Sequence, residues 1–136
     1  MVKTPYTFPL VLLLACLVIL LPGCRKGVPI QDFSSPMPLV EKQPDRAVAA
    51  AIIRGGAMTG WEITPVRPGI MTGTLVVRGK HTAVVEITYD KTQYSIKYKN
   101  SINLEQTADG KIHPNYNKWV ATLDANIRRE LANLTK

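Results

Sequence analysis

The chain has 136 residues, 17 of them Lys or Arg and ten Asp or Glu, and only two are cysteines. This length is enough for one small domain and a tether beside a targeting segment. The formal charge of +7 favours anionic surfaces such as lipid head groups, lipopolysaccharide or acidic polymers, but net charge speaks to solubility and not to specificity.

The start of the chain reads as an address. Lys3 is followed by an unbroken apolar run from Leu10 to Leu21. The run is shorter than the about 20 residues needed to span a bilayer. It fits the apolar core of a secretory signal peptide, about 7–15 residues long. Leu21-Pro22-Gly23-Cys24 resembles a lipobox, at which bacterial processing enzymes attach diacylglycerol to the cysteine and cut before it. Cys16 offers a rival match. Cutting there would expose Leu17 to Leu21 and shorten the apolar core, so Cys24 is preferred. Residues 1–23 are then a signal peptide and Cys24 a lipidated N-terminus, with two or three acyl chains such as palmitate giving stable anchoring. Arg25 follows the cysteine where Asp would be an inner-membrane signal. By resemblance to Gram-negative lipoproteins, the protein is expected on the outer membrane, its domain facing the periplasm. The signal peptide carries one basic residue and no acid, which leaves +6 on the mature side chains. Export makes nucleic acid a poor partner. With Cys24 acylated, the mature domain keeps no thiol for a disulfide, a metal or a nucleophile.

Residues 24–43 read as the lipidated cysteine and a flexible tether. Pro29, Ser34, Ser35, Pro36 and Pro38 fall there without an apolar period. Fully extended, residues 25–43 would reach about 60 Å, at ~3.1 Å each. A single domain is expected over 44–136. Its first helix opens at Pro44 and Asp45, carries Val48, Ala49, Ile52 and Ile53 as an apolar stripe, and ends at Gly55-Gly56. The period then switches to two over roughly 61–67, 71–78, 82–89 and 94–102. Matching apolar faces across the hairpins suggests loops at Pro68-Gly69-Ile70, Gly79-Lys80-His81 and Asp90 to Gln93. These loops pair Ile63 with Leu75, Leu75 with Val85, and Ile87 with Ile96. A last helix opens near His113-Pro114 with the stripe Tyr116, Trp119, Val120, Leu123, Ile127 and Leu131. The expected fold is α+β: a four-stranded antiparallel meander with both helices on one face, α-β-β-β-β-α, in two layers.

Chemistry is sparse in this pattern. His81 and His113 have no Cys, Asp or Glu at ligand spacing, so no metal site or other cofactor is expected. No nucleophile elbow or phosphate-binding glycine loop is present, and no catalytic residue is assigned. Trp61, Tyr94, Tyr98, Tyr116 and Trp119 fall on inner faces, where core packing is the plainer role. Two surfaces stand out. The outer sheet face carries Arg78, Lys97, Lys99, Val76 and Val84, with Glu86 opposite Lys97. It suits a protein partner or an anionic ligand, although an antiparallel sheet also faces plain solvent on one side. The segment around His113, Asn115 and Asn117 suits a polar groove, with helix capping as the simpler reading.

The runs Gly60-Trp61-Glu62-Ile63, Val77-Arg78-Gly79-Lys80-His81-Thr82-Ala83-Val84-Val85, Tyr94-Ser95-Ile96-Lys97-Tyr98, Ser101-Ile102-Asn103-Leu104 and Ile112 to Trp119 resemble a family of small uncharacterised proteobacterial lipoproteins. The resemblance spans most of the domain after the tether. It implies location and fold, and carries no catalytic residue with it. Together these readings lead to a non-enzymatic outer-membrane lipoprotein that binds an envelope protein. The alternatives are a binder of lipopolysaccharide or peptidoglycan through Arg78, Lys97 and Lys99, and an envelope hydrolase working through His113.

Overall fold

The computed structural model describes residues 26–37 and 45–136; Cys24, the segment 1–23 expected to be a signal peptide, and Pro44 lie outside them. In chain order the elements are β1 (Val28–Pro29), β2 (Phe33–Pro36), α1 (Asp45–Ala57), β3 (Glu62–Arg67), β4 (Ile70–Val77), β5 (His81–Tyr89), β6 (Gln93–Ile102), β7 (Lys111–Ile112) and α2 (Pro114–Asn133). The fold is α+β. A five-stranded antiparallel sheet has the order β2-β6-β5-β4-β3, and β1 pairs with β7 in a second, two-stranded sheet.

The expected four-strand meander is therefore incomplete. Its missing strand comes from the segment read as tether. Phe33 pairs with Ile96 and Ser35 with Tyr94, so β2 closes the hydrogen-bonding edge that β6 would otherwise expose. Val28 pairs with Ile112. Asn117 fastens the same segment: its amide nitrogen donates to Pro29 O (2.9 Å) and its amide oxygen accepts from Gln31 N (3.1 Å).

The hairpin registers sort the faces as expected, but two of the three slip by two residues. Val85 pairs with Tyr98, Glu86 with Lys97 and Ile87 with Ile96, as the alternation suggests. Leu75, however, faces Ala83, and Ile63 faces Gly73. The turns account for both slips. Pro68-Gly69 is a two-residue loop with Gly69 at φ 78°, the pattern of a type II turn. Arg78 (φ 53°) and Gly79 (φ 64°) both take left-handed backbone, and Lys80 N donates to Val77 O (3.1 Å). That turn sits one residue earlier than Gly79 alone would place it. Gly73 makes the observed pairing possible. A Cβ there would lie 2.9 Å from Val85 Cγ2 and 3.0 Å from Ile63 Cδ1.

Both helices cover one face of the sheet. Helix α1 does not stop at Gly55-Gly56; it runs through both to Ala57. A Cβ on Gly55 would come within 2.9 Å of the Ile127 backbone, so the glycine lets the two helices approach closely. Between the layers lie Ile52, Ile87, Ile96, Tyr94, Tyr116, Leu123 and Ile127, all essentially without exposure. Each buried aliphatic side chain contributes ~1.5–3 kcal/mol. Trp61 is buried as expected, while Tyr98 and Trp119 are half-buried. No helix among the described residues is long and apolar enough to cross a membrane.

Candidate functional site

One polar side chain penetrates the core. Asp124 lies on the buried stripe of α2 and is 3% exposed. It accepts the Tyr94 hydroxyl at 2.6 Å, and Ser35 donates to the same oxygen at 3.4 Å. Arg128, one turn later, pairs with the other oxygen at 2.7 Å. Burial, then the bond to Asp124, pushes the Tyr94 hydroxyl well above the ordinary tyrosine range. Both carboxylate oxygens of Asp124 are engaged, so the cluster joins β2, β6 and α2 as a structural tie.

The opposite end of the sheet is built differently. The β4–β5 turn, the segment after β6 and the start of α2 converge on a cleft of about 360 Å³, lined by Arg78, His81, His113, Asn115 and Trp119 above Val77 and Leu104. Asn103 (φ 56°) and Glu105 (φ 53°) hold the segment after β6 in left-handed backbone. With Arg78 they are the three non-glycine residues at positive φ among the described residues, and all three lie beside this cleft. Such backbone costs of order 1–3 kcal/mol each and collects at functional sites.

Hydrogen bonds fix the histidine tautomers. Asn103 O can only accept, so His81 donates to it from Nδ1 (2.8 Å). In the neutral ring this leaves the His81 Nε2 lone pair open. Asn103 also donates from its side chain to Lys80 O (2.7 Å), which steadies the turn. His113 is the N-cap of α2, and its Nδ1 accepts from Asn115 N (3.2 Å). The neutral His113 therefore carries its proton on Nε2 and is set as a donor, not as a general base. The Arg78 guanidinium, the Asn115 amide and the Trp119 indole N–H make no hydrogen bond or ion pair among the described residues. The cleft thus presents four donor groups, from Arg78, His113, Asn115 and Trp119, and two acceptors, His81 Nε2 and the Asn115 amide oxygen.

The residues expected to act together are only partly joined. Strand alternation places Arg78 and Val76 on one basic sheet face with Lys97 and Lys99. The structure turns Arg78 into the histidine cleft, and two rows of the outer face, Thr82–Ile102 and Val84–Asn100, separate this end from Lys97. Lys97 stands opposite Glu86. Lys99 is the extra residue of a bulge facing Val84 and Val85, and donates to Thr72 Oγ1 across the sheet (3.2 Å). Val76, expected on this face with Val84 and Lys99, stands in a row with Thr82 and Ile102. Val76 and Ile102 are each 56% exposed. His113 and Asn115 share the cleft, whereas Asn117 is committed to Pro29 and Gln31.

A hollow of about 480 Å³ opens at the other end of the outer face, lined by Ser34, Thr88 and Ser95 together with Asp32, Asp90 and Lys97. Its charges are of both signs. No group of three or more His, Cys, Asp or Glu among the described residues could hold a metal ion. Sequence reasoning missed His81 and Trp119 as cleft residues and Asp124 as a tie. Asp124 had a signal, since a lone carboxylate four residues from Val120 and three from Ile127 sits on the apolar stripe. Comparison with models of known families, with curated proteins and with solved structures gave no match.

Proposed function

We propose that this protein is a non-enzymatic lipoprotein of the bacterial outer membrane, anchored through Cys24, which holds its domain in the periplasm and docks an envelope protein on its open sheet face. The observation that carries this reading is the uncovered face itself. Both helices lie on the other side of the sheet, and the outer face carries Val76 and Ile102 at 56% exposure around Thr82, with Lys97 and Lys99 further along. A mixed aliphatic and basic face of this kind suits a protein surface better than solvent alone. An anionic envelope ligand such as lipopolysaccharide or peptidoglycan is the second reading, and the donor-rich Arg78 cleft favours it.

The docking reading is tested by photocrosslinking in intact cells from positions 99 and 102, with mass spectrometry of the adducts. A discrete adduct with one envelope protein, lost in Ile102→Asp and absent from a label at Ala125 on α2, is the expected result. No adduct, or the same adducts from position 125, would sink the docking face.

A further inference from the structure

Val28, at the start of the first strand, and the cleft lie at the same pole of the molecule. Only Arg25, Lys26 and Gly27 separate Cys24 from Val28. Four chain steps reach at most about 14 Å, far short of the stand-off that a free tether through residue 43 would allow. Val28 pairs with Ile112, and His113, which follows at once, caps α2 and lines the cleft. A chain lipidated at Cys24 therefore carries this cleft close to the membrane surface.

We infer that the cleft binds a phosphate group bearing a neighbouring hydroxyl, presented at the membrane surface beside the anchor. The Arg78 guanidinium supplies the charge and a forked pair of donors. His113 Nε2–H and the Asn115 amide add donors from the start of α2, and a phosphate has enough oxygens to accept all of them. The His81 Nε2 lone pair cannot serve an anionic oxygen, but it accepts from a hydroxyl on the adjoining carbon. Trp119 supplies an apolar wall for that carbon skeleton. The same tautomers speak against a metal: His113 cannot offer Nε2 to a cation while Nδ1 caps the helix. Glycerol phosphates and sugar phosphates have this chemistry, free in solution or as lipid headgroups. Placement at the membrane pole rests on the lipoprotein reading, while the phosphate chemistry stands without it.

The test uses the mature protein, lipidated at Cys24, in phosphatidylcholine vesicles, with tryptophan fluorescence as the readout. Trp61 is buried and Trp119 lines the cleft, so a change that disappears in Trp119→Phe reports the site. Titration with glycerol 3-phosphate is expected to give a saturable change. Arg78→Asn tolerates the left-handed turn without the charge, and His113→Asn keeps a helix cap without the imidazole donor. Each is expected to weaken binding at least tenfold. Phosphatidylglycerol in the vesicles is expected to reproduce the change and to compete with glycerol 3-phosphate. Response to the soluble ligand alone would overturn the headgroup and leave a free phosphate as ligand. No saturable change with either, or full binding in both variants, would overturn the site. Intact-mass measurement of acylation at Cys24 tells failure of the anchor apart from failure of the cleft.

Discussion

The two ends of the sheet use polar side chains in opposite ways. At the β5–β6 end, Asp124 takes the hydroxyls of Tyr94 and Ser35 and the guanidinium of Arg128. There, too, Asp90 accepts from the backbone of Thr92 and Gln93 and from the Thr92 hydroxyl, which holds its carboxyl below the usual range. The Asp124 and Asp90 clusters are satisfied internally, and the product is stability. At the β4–β5 end, three residues accept left-handed backbone while Arg78, Asn115 and Trp119 keep their donors open. Strain borne beside unsatisfied donors is how binding sites depart from structural clusters. Substitutions should therefore separate the ends: one loses stability, the other gains it at the expense of binding.

The largest effect is expected from Asp124→Ala. It removes the short acceptor of the Tyr94 hydroxyl, which keeps only the 3.3 Å contact to the residue-124 carbonyl, and frees Ser35 from α2; it should cost about 2 kcal/mol by chemical denaturation. A loss under ~1 kcal/mol would mean that the cluster is not what ties β2 to the sheet.

Alkali gives a graded version of the same contrast. Burial raises the hydroxyl pKa of both Tyr94 and Tyr116 above the ordinary value of 10.0. The folded state thus prefers the neutral ring. Its advantage is whole below pH 10 and is lost as pH rises beyond it, at up to ~1.4 kcal/mol per pH unit for each tyrosine. Tyr94→Phe should flatten the alkaline slope of the unfolding free energy, and an unchanged slope would remove Tyr94 from the account.

The smallest expected effect has the opposite sign. Arg78→Gly relieves a left-handed arginine and should stabilise the fold by about 1 kcal/mol in thermal or chemical unfolding, while weakening phosphate binding. A destabilised Arg78→Gly would show that Arg78 serves the turn, and the two ends would then not differ as described.

Much of the fold is legible because strand alternation marks which face is buried. Alternation is blind to a slip of two residues, however, since such a slip leaves every side chain on the same face. The turns decided the slip, and nothing in the local sequence marks Arg78 for left-handed backbone. Gly55-Gly56 reads as a helix stop for the usual reason, that glycine favours helix ends. Only the crossing of α1 over Ile127 shows why it stands inside. The short polar strands at 28–29 and 33–36 carry too little apolar pattern to be seen, and the edge of β6 and the Lys111–Ile112 segment draw them into pairing.

The site was less legible than the fold. His113 and Asn115 stand out locally, but His81 lies 32 residues earlier in the chain. The left-handed segment at Asn103 to Glu105 brings the two histidines to one cleft. By itself the sequence determined most of the α2 stripe, the buried face of the four strands it marked and the α+β class, because those follow from residue periodicity; of the α1 stripe, Val48 and Ile52 are buried while Ile53 is exposed. Register, the fifth strand, the histidine tautomers and the grouping of Arg78 with His113 were decided only by the tertiary structure. They depend on contacts between residues far apart in the chain, which no local pattern encodes.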